Sequence, residues 1–144
     1  MSTRPIIILD ANILIRAALG VRARDLINQY QKNINMLAPQ PAWSDALEKL
    51  DITLPKRGIS SELLHGSSGR LDALRTAVGS IPLSFVEGER ENAFARIGKR
   101  DPDDWPILAA ALTLNCPIWT EDQDFFGTGV ATWNTELVEI FLSR

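Results

Sequence analysis

Apolar and polar positions alternate between two periods along this chain. Residues 5–10, PIIILD, form a continuous β-branched run that ends on a carboxylate, the pattern of a buried parallel strand. Asn12 follows and can cap a helix, Ile13, Leu14, Ala17 and Ala18 carry helical spacing, and Gly20 supplies a stop. Residues 22–33 predict a second helix with Leu26, Ile27 and Tyr30 on one face. Asn35–Ala38 predict a second strand ahead of Pro39 and Pro41, and residues 42–50 return to helical spacing through Trp43, Ala46, Leu47 and Leu50. Residues 51–70 are the least regular, with Pro55, Gly58, Gly66, Gly69 and several serines. A helix over 71–78, a third strand over Pro82–Val86 and a helix over 88–98 follow. Residues 104–115 predict a strongly apolar helix, capped by Asp103 or Asp104, in which Pro106 is tolerated because first-turn amides lack intrahelical partners. Ile118–Trp119 and Val130–Thr132 are short strands, and a last helix starts near Asn134.

Strands alternating with helices predict an α/β domain: a central parallel β-sheet with helices on both faces, in which chemistry gathers beyond the carboxyl ends of the strands. The 144 residues fit one domain over 1–144. At this size folding buries roughly two-thirds of the unfolded surface, so no staple is needed. The lone Cys116 cannot form an internal disulfide and is read as a buried structural thiol. No signal peptide is visible, and a reducing, cytoplasmic location is expected. The net charge of −3 argues against a protein that coats nucleic acid, but not against an enzyme whose acids hold cations.

The acids are placed unevenly. Asp10 closes the first strand, where an unpartnered carboxylate is expensive to bury. Asp101, Asp103 and Asp104 put three carboxylates in four residues at a helix start, more than capping explains. Asp122, with Glu121 and Asp124, follows the strand Ile118-Trp119. Three acids converging on one sheet edge suit one or two Mg²⁺ or Mn²⁺ ions. Neither a His/Cys zinc constellation nor a glycine-rich phosphate cradle is present. A receiver-type phosphoacceptor would need a lysine after a late strand, and a haloacid-dehalogenase phosphatase an aspartate where Asn12 stands.

Three segments then make the chain recognisable: Leu9-Asp10-Ala11-Asn12-Ile13-Leu14, Arg100-Asp101-Pro102-Asp103-Asp104-Trp105-Pro106-Ile107-Leu108-Ala109, and Trp119-Thr120-Glu121-Asp122-Gln123-Asp124-Phe125-Phe126-Gly127. In this order they resemble the PIN-domain nucleases, which include the toxin halves of many bacterial toxin–antitoxin pairs. The resemblance implies four acidic positions, met by Asp10, Asp45, Asp104 and Asp122, with Asp10, Asp104 and Asp122 as metal ligands. The second position is usually Glu; Asp45 occupies it here and Glu48, one turn on, is the substitute. Asn12 and Thr120 match supporting polar residues, and Asp124 and Asp101 are auxiliary acids.

The same resemblance implies Mg²⁺- or Mn²⁺-dependent endoribonuclease activity that leaves a 3′-oxygen on the upstream nucleotide, an RNA substrate, an antitoxin partner and, commonly, a homodimer, with no membrane. Two alternatives stand beside it: a catalytically weak or inactive PIN-fold binding module, and an RNA-processing nuclease that is not a toxin. Arg16 is a candidate phosphate contact. Trp133 is the tryptophan with the best claim to a substrate or partner contact, the others being read mainly as core, and the single histidine, His65, as surface.

Overall fold

The computed structural model describes residues 4–144. The isoleucine run becomes its central strand. Ile6–Leu9 form β1, with Ile7, Ile8 and Leu9 wholly buried, because β-branched side chains fit a sheet covered on both faces. Parallel partners flank it. β2 (Asn35–Pro39) pairs Ile7 with Met36, and β4 (Ile118–Trp119) pairs Leu9 with Trp119. β3 (Val78–Ile81) lies outside β2 and β5 (Thr132–Trp133) outside β4, so the five-stranded sheet runs β3-β2-β1-β4-β5, parallel throughout.

The steps from β1 to β2 to β3 move one way across the sheet, and the step from β3 to β4 returns past β1. With right-handed connections, the two sets of crossover helices fall on opposite faces. The first set is α1 (Ala11–Leu19), α2 (Arg22–Tyr30), α3 (Gln40–Glu48), and the short α4 (Leu54–Lys56), α5 (Ser61–Leu64) and α6 (Ser67–Ala73). Here α1 packs on α2, α3 and α6. The second is α7 (Leu83–Val86), α8 (Arg90–Ile97) and α9 (Trp105–Leu114). In it, α9 lies against β1, β2 and β4 and is covered by α7 and α8. That sandwiching explains why Pro106 through Ala111 are all buried. The chain closes with α10 (Val138–Leu142), tied to α2 where the Tyr30 hydroxyl donates to Glu139 at 2.6 Å.

The third strand lies earlier than the sequence pattern predicts. Val78–Ile81 pair with β2, and Pro82–Val86 turn away into α7. Pro82 has no amide to give a ladder and its fixed φ suits a helix start, which is where it stands. The helix expected over 71–78 accordingly ends earlier, at Thr76. The irregular stretch 51–70 is largely helical. α3 runs into a π-helical turn, Lys49–Thr53, in which the Leu54 amide reaches back to the Lys49 carbonyl. Pro55 is the local cause: its ring would clash with the carbonyl four residues back in a regular helix, and a widened turn avoids this. Gly58 and Gly66, at φ +81° and +74°, break the pieces that follow. Cys116 is half-buried rather than buried, and burial pushes its thiol up to about 12, which disfavours the reactive thiolate.

Candidate functional site

β1 and β4 are neighbours on either side of the point where the strand order reverses, and their carboxyl ends open a crevice there. Asp10 leaves β1 into it and is only 4% exposed. One oxygen of its carboxylate caps α1, accepting from the Ile13 amide at 3.0 Å; the cap is therefore Asp10, not Asn12. The other oxygen accepts from the Thr120 hydroxyl, at the end of β4. Thr120 Oγ1 in turn accepts from the Asp122 amide at 2.9 Å, and Asp122 Oδ1 from the Asp124 amide at 2.9 Å. One chain of hydrogen bonds thus links the first strand to the acidic loop after the fourth. Burial raises the Asp10 pKa to about 6; the Thr120 and Ile13 hydrogen bonds oppose that, and the charges of Asp122 and Glu121 add to it.

Asp104 sits at the N-cap position of α9, just before Trp105, but its side chain makes no capping hydrogen bond. Its carboxyl turns instead to those of Asp101 and Asp122. Burial first, then the hydrogen bonds and charges of these two neighbours, raise it to about 8. Burial and these acidic neighbours thus favour a proton on Asp104 where no cation balances the charges. Asp101, Asp122 and Asp124 each offer a carboxylate oxygen, and these oxygens lie within 4.8 Å of one another. A donor set of oxygen alone, half-buried and mutually repelling, fits a hard divalent cation and not zinc. Beside it opens a cleft of about 350 Å³ lined by Ala11, Asp101, Asp103, Asp104 and Ile107, and by Pro41, Asp45 and Lys49 from α3 and its continuation.

The sequence profile of the PIN domain family matches residues 8–143, nearly the whole chain. The chain belongs to the PIN domain family. No curated protein matches the sequence. Among solved structures, a protein of Pyrobaculum aerophilum, PAE2754, is similar at 13% identity with a TM-score of 0.71 over 96% of both chains. VapBC2 from Rickettsia felis, bound to a DNA fragment from its promoter, is similar at 15% identity and a TM-score of 0.65, over 90% of this chain and 98% of that one. A toxin–antitoxin complex from Klebsiella pneumoniae matches at 19% identity and a TM-score of 0.61, over 89% and 96%. At these identities the likeness is one of fold. Among the described residues, no helix is long and apolar enough to cross a membrane.

In this PIN domain the sequence-derived candidates are not equally placed. Asp10, Thr120, Asp122, Asp124, Asp101 and Asp104 form one connected group. Asp45 faces the same cleft from α3, exposed, its Oδ2 lying 3.5 Å from Lys49 Nζ. Glu48 lines the adjoining cleft instead. Asn12 is exposed, and no side-chain hydrogen bond among the described residues involves it. Arg16 lines a separate cleft with Leu19, Val21 and Thr135, and pairs at 4.0 Å with Glu121. Trp43 and Trp119 are core, Trp105 and Trp133 half-buried.

Three contributions escaped sequence reasoning. Lys49 enters the acidic cleft. Arg96 donates to the Thr128 carbonyl and Arg100 to the Phe126 carbonyl, both at 2.8 Å, fastening the loop that carries Asp122 and Asp124. Glu121 accepts from the Thr135 amide at 2.6 Å, which ties the same loop to the chain after β5. The only sequence signal was position: Arg100 opens the motif that holds Asp101 and Asp104.

Proposed function

We propose that this PIN domain is a Mg²⁺- or Mn²⁺-dependent endoribonuclease, the toxin of a cytoplasmic toxin–antitoxin pair, held in check by an antitoxin. The observation that supports this most is the acidic group at the strand switch point. Asp104 is pushed to about 8 by burial and by the carboxylates of Asp101 and Asp122, an arrangement costly to the fold unless a cation is held there. Asp10, Asp104 and Asp122, with Asp101 and Asp124 beside them, would hold it, and Asp45 faces them across the cleft. When bound, a divalent cation supplies Lewis acidity toward a phosphodiester and a water of lowered pKa. The protein's own part is orientation. Thr120 fixes the Asp10 carboxylate, and the fastened loop fixes Asp122 and Asp124, so no acid must reorganise as charge develops on phosphate. RNA as substrate and an antitoxin as partner are supported by the family and by likeness in fold to proteins solved as toxin–antitoxin assemblies.

The test compares wild type, Asp10→Asn, Asp104→Asn and wild type in EDTA on single-stranded and structured RNA. Cleavage is expected to fall by about 100-fold or more in each of the last three. Equal cleavage in all four rules the proposal out.

A further inference from the structure

Resting on the nuclease reading above, we propose that Lys49 is a substrate-binding residue of the cleft, taking a phosphate that flanks the scissile one, with Asp45 holding it in place. Among the described residues Lys49 is the only base lining the acidic cleft. Its amide bonds back to the Asp45 and Ala46 carbonyls, so its backbone continues α3 and its side chain lies one turn on from Asp45, on the same face. The π-helical turn starts at Lys49. Widened turns of this kind recur at functional positions.

The pair is poorly explained as a stabilising device. Both side chains are more than a third exposed, at 37% and 50%, and exposed ion pairs of this sort contribute little to folding. It is well placed for exchange. A second cleft, lined by Gln40, Ser44, Glu48 and Leu83, shares Pro41 and Asp45 with the first, so Asp45 stands where the two meet and Lys49 lies beside it in the first. A strand of RNA leaving the acid cluster toward α3 passes that junction. The neighbouring arginines stand elsewhere: Arg16 lines a separate cleft, and Arg96 and Arg100 hold the loop carbonyls. An ammonium on a flexible stem can trade a weak carboxylate partner for a phosphate oxygen without disturbing the backbone.

The experiment uses a short fluorescein-labelled phosphorothioate RNA, which keeps the backbone charge, and reads anisotropy across a monovalent salt series in Mg²⁺. Lys49→Ala is expected to weaken binding about tenfold and to reduce the slope of log affinity against log salt by about 0.7, one phosphate contact on a single strand. Lys49→Arg is expected to restore most of both. Mn²⁺ affinity, measured by calorimetry, stays within about twofold of wild type in both variants, which also shows that the site is folded. Tighter Mn²⁺ binding with an unchanged salt slope would make Lys49 a mere counter-ion of the acids and overturn the assignment. An unchanged slope in Lys49→Ala, while the wild type cleaves RNA, overturns it and leaves the nuclease intact. A wild type that neither binds nor cleaves RNA removes the nuclease reading, and Lys49's role with it.

Discussion

Thr120 shows how much one hydroxyl carries. It is 3% exposed, donates to Asp10 and accepts from the Asp122 amide, so it joins acids that the sequence separates by more than a hundred positions. Thr120→Val keeps the shape and deletes both bonds. The Asp122 amide and one Asp10 oxygen then lose their partner, a loss of about 1–3 kcal/mol. Asp10 also loses the largest influence holding its pKa down, so less of it is ionised near neutral pH. Cleavage is expected to fall about 10- to 100-fold, as for other residues that orient metal ligands, and Thr120→Ser to recover most of it. Urea denaturation and RNA cleavage rates check the two halves; a valine variant equal to wild type in both would refute the linkage. Residues of this kind were legible because each follows a short apolar run: Asp10 after Ile6–Leu9, Thr120 and Asp122 after Ile118–Trp119. Lys49 was not, because helical spacing over 42–50 offers its pairing with Asp45 but not the cleft both face, which forms only where α3 meets residues 101–107.

Among the elements, the strands and helices with a clear period were readable and those near proline were misplaced. β1, β2 and α9 fall close to expectation because burial on both faces demands long apolar runs there. The third strand was misplaced because Leu83, Phe85 and Val86 imitate a strand, whereas Val78-Gly79-Ser80-Ile81 contains two small residues that weaken the pattern. The loop after β4 depends on distant partners for its shape. Beyond one 3₁₀ turn at Gln123–Phe125 it has little regular structure, and Arg96 and Arg100, at and just past the end of α8, supply the missing restraint. Replacing both arginines with alanine is expected to cost about 2–3 kcal/mol, since each removes a charge-assisted bond to a loop carbonyl, one part-buried and one exposed. The larger effect falls on the loop: Mn²⁺ affinity is expected to drop about tenfold because Asp122 and Asp124 lose their fixed spacing. Calorimetric titration of the double variant checks this, and unaltered affinity would mean that the hydrogen bonds within the loop suffice.

At the scale of the whole molecule, the acids set a conflict between folding and function that pH and metal should expose. The folded protein raises Asp10 to about 6 and Asp104 to about 8, against an ordinary 3.8 for both. Between those values the native state keeps protons that the unfolded chain has released. The stability they contribute is therefore complete below about pH 4 and is lost as pH rises through 6 and on to 8. Glu139, lowered by its bonds to Tyr30 and Arg22, works in the opposite sense and matters only at the acid end. In EDTA the melting temperature is thus expected to fall steadily from mildly acidic pH to pH 8. Asp104→Asn, which cannot ionise, should flatten the upper part of that fall and raise the melting temperature at pH 8. Added Mg²⁺ or Mn²⁺ should raise the wild-type melting temperature most at pH 8, where the carboxylates are free of protons, and release protons as it binds near neutrality. The Asn variant should gain much less. A wild type whose melting temperature in EDTA does not change between pH 5 and 8, and does not respond to millimolar metal, would mean that the acids tolerate one another without a cation, and the case for a working metal centre would fail at its root.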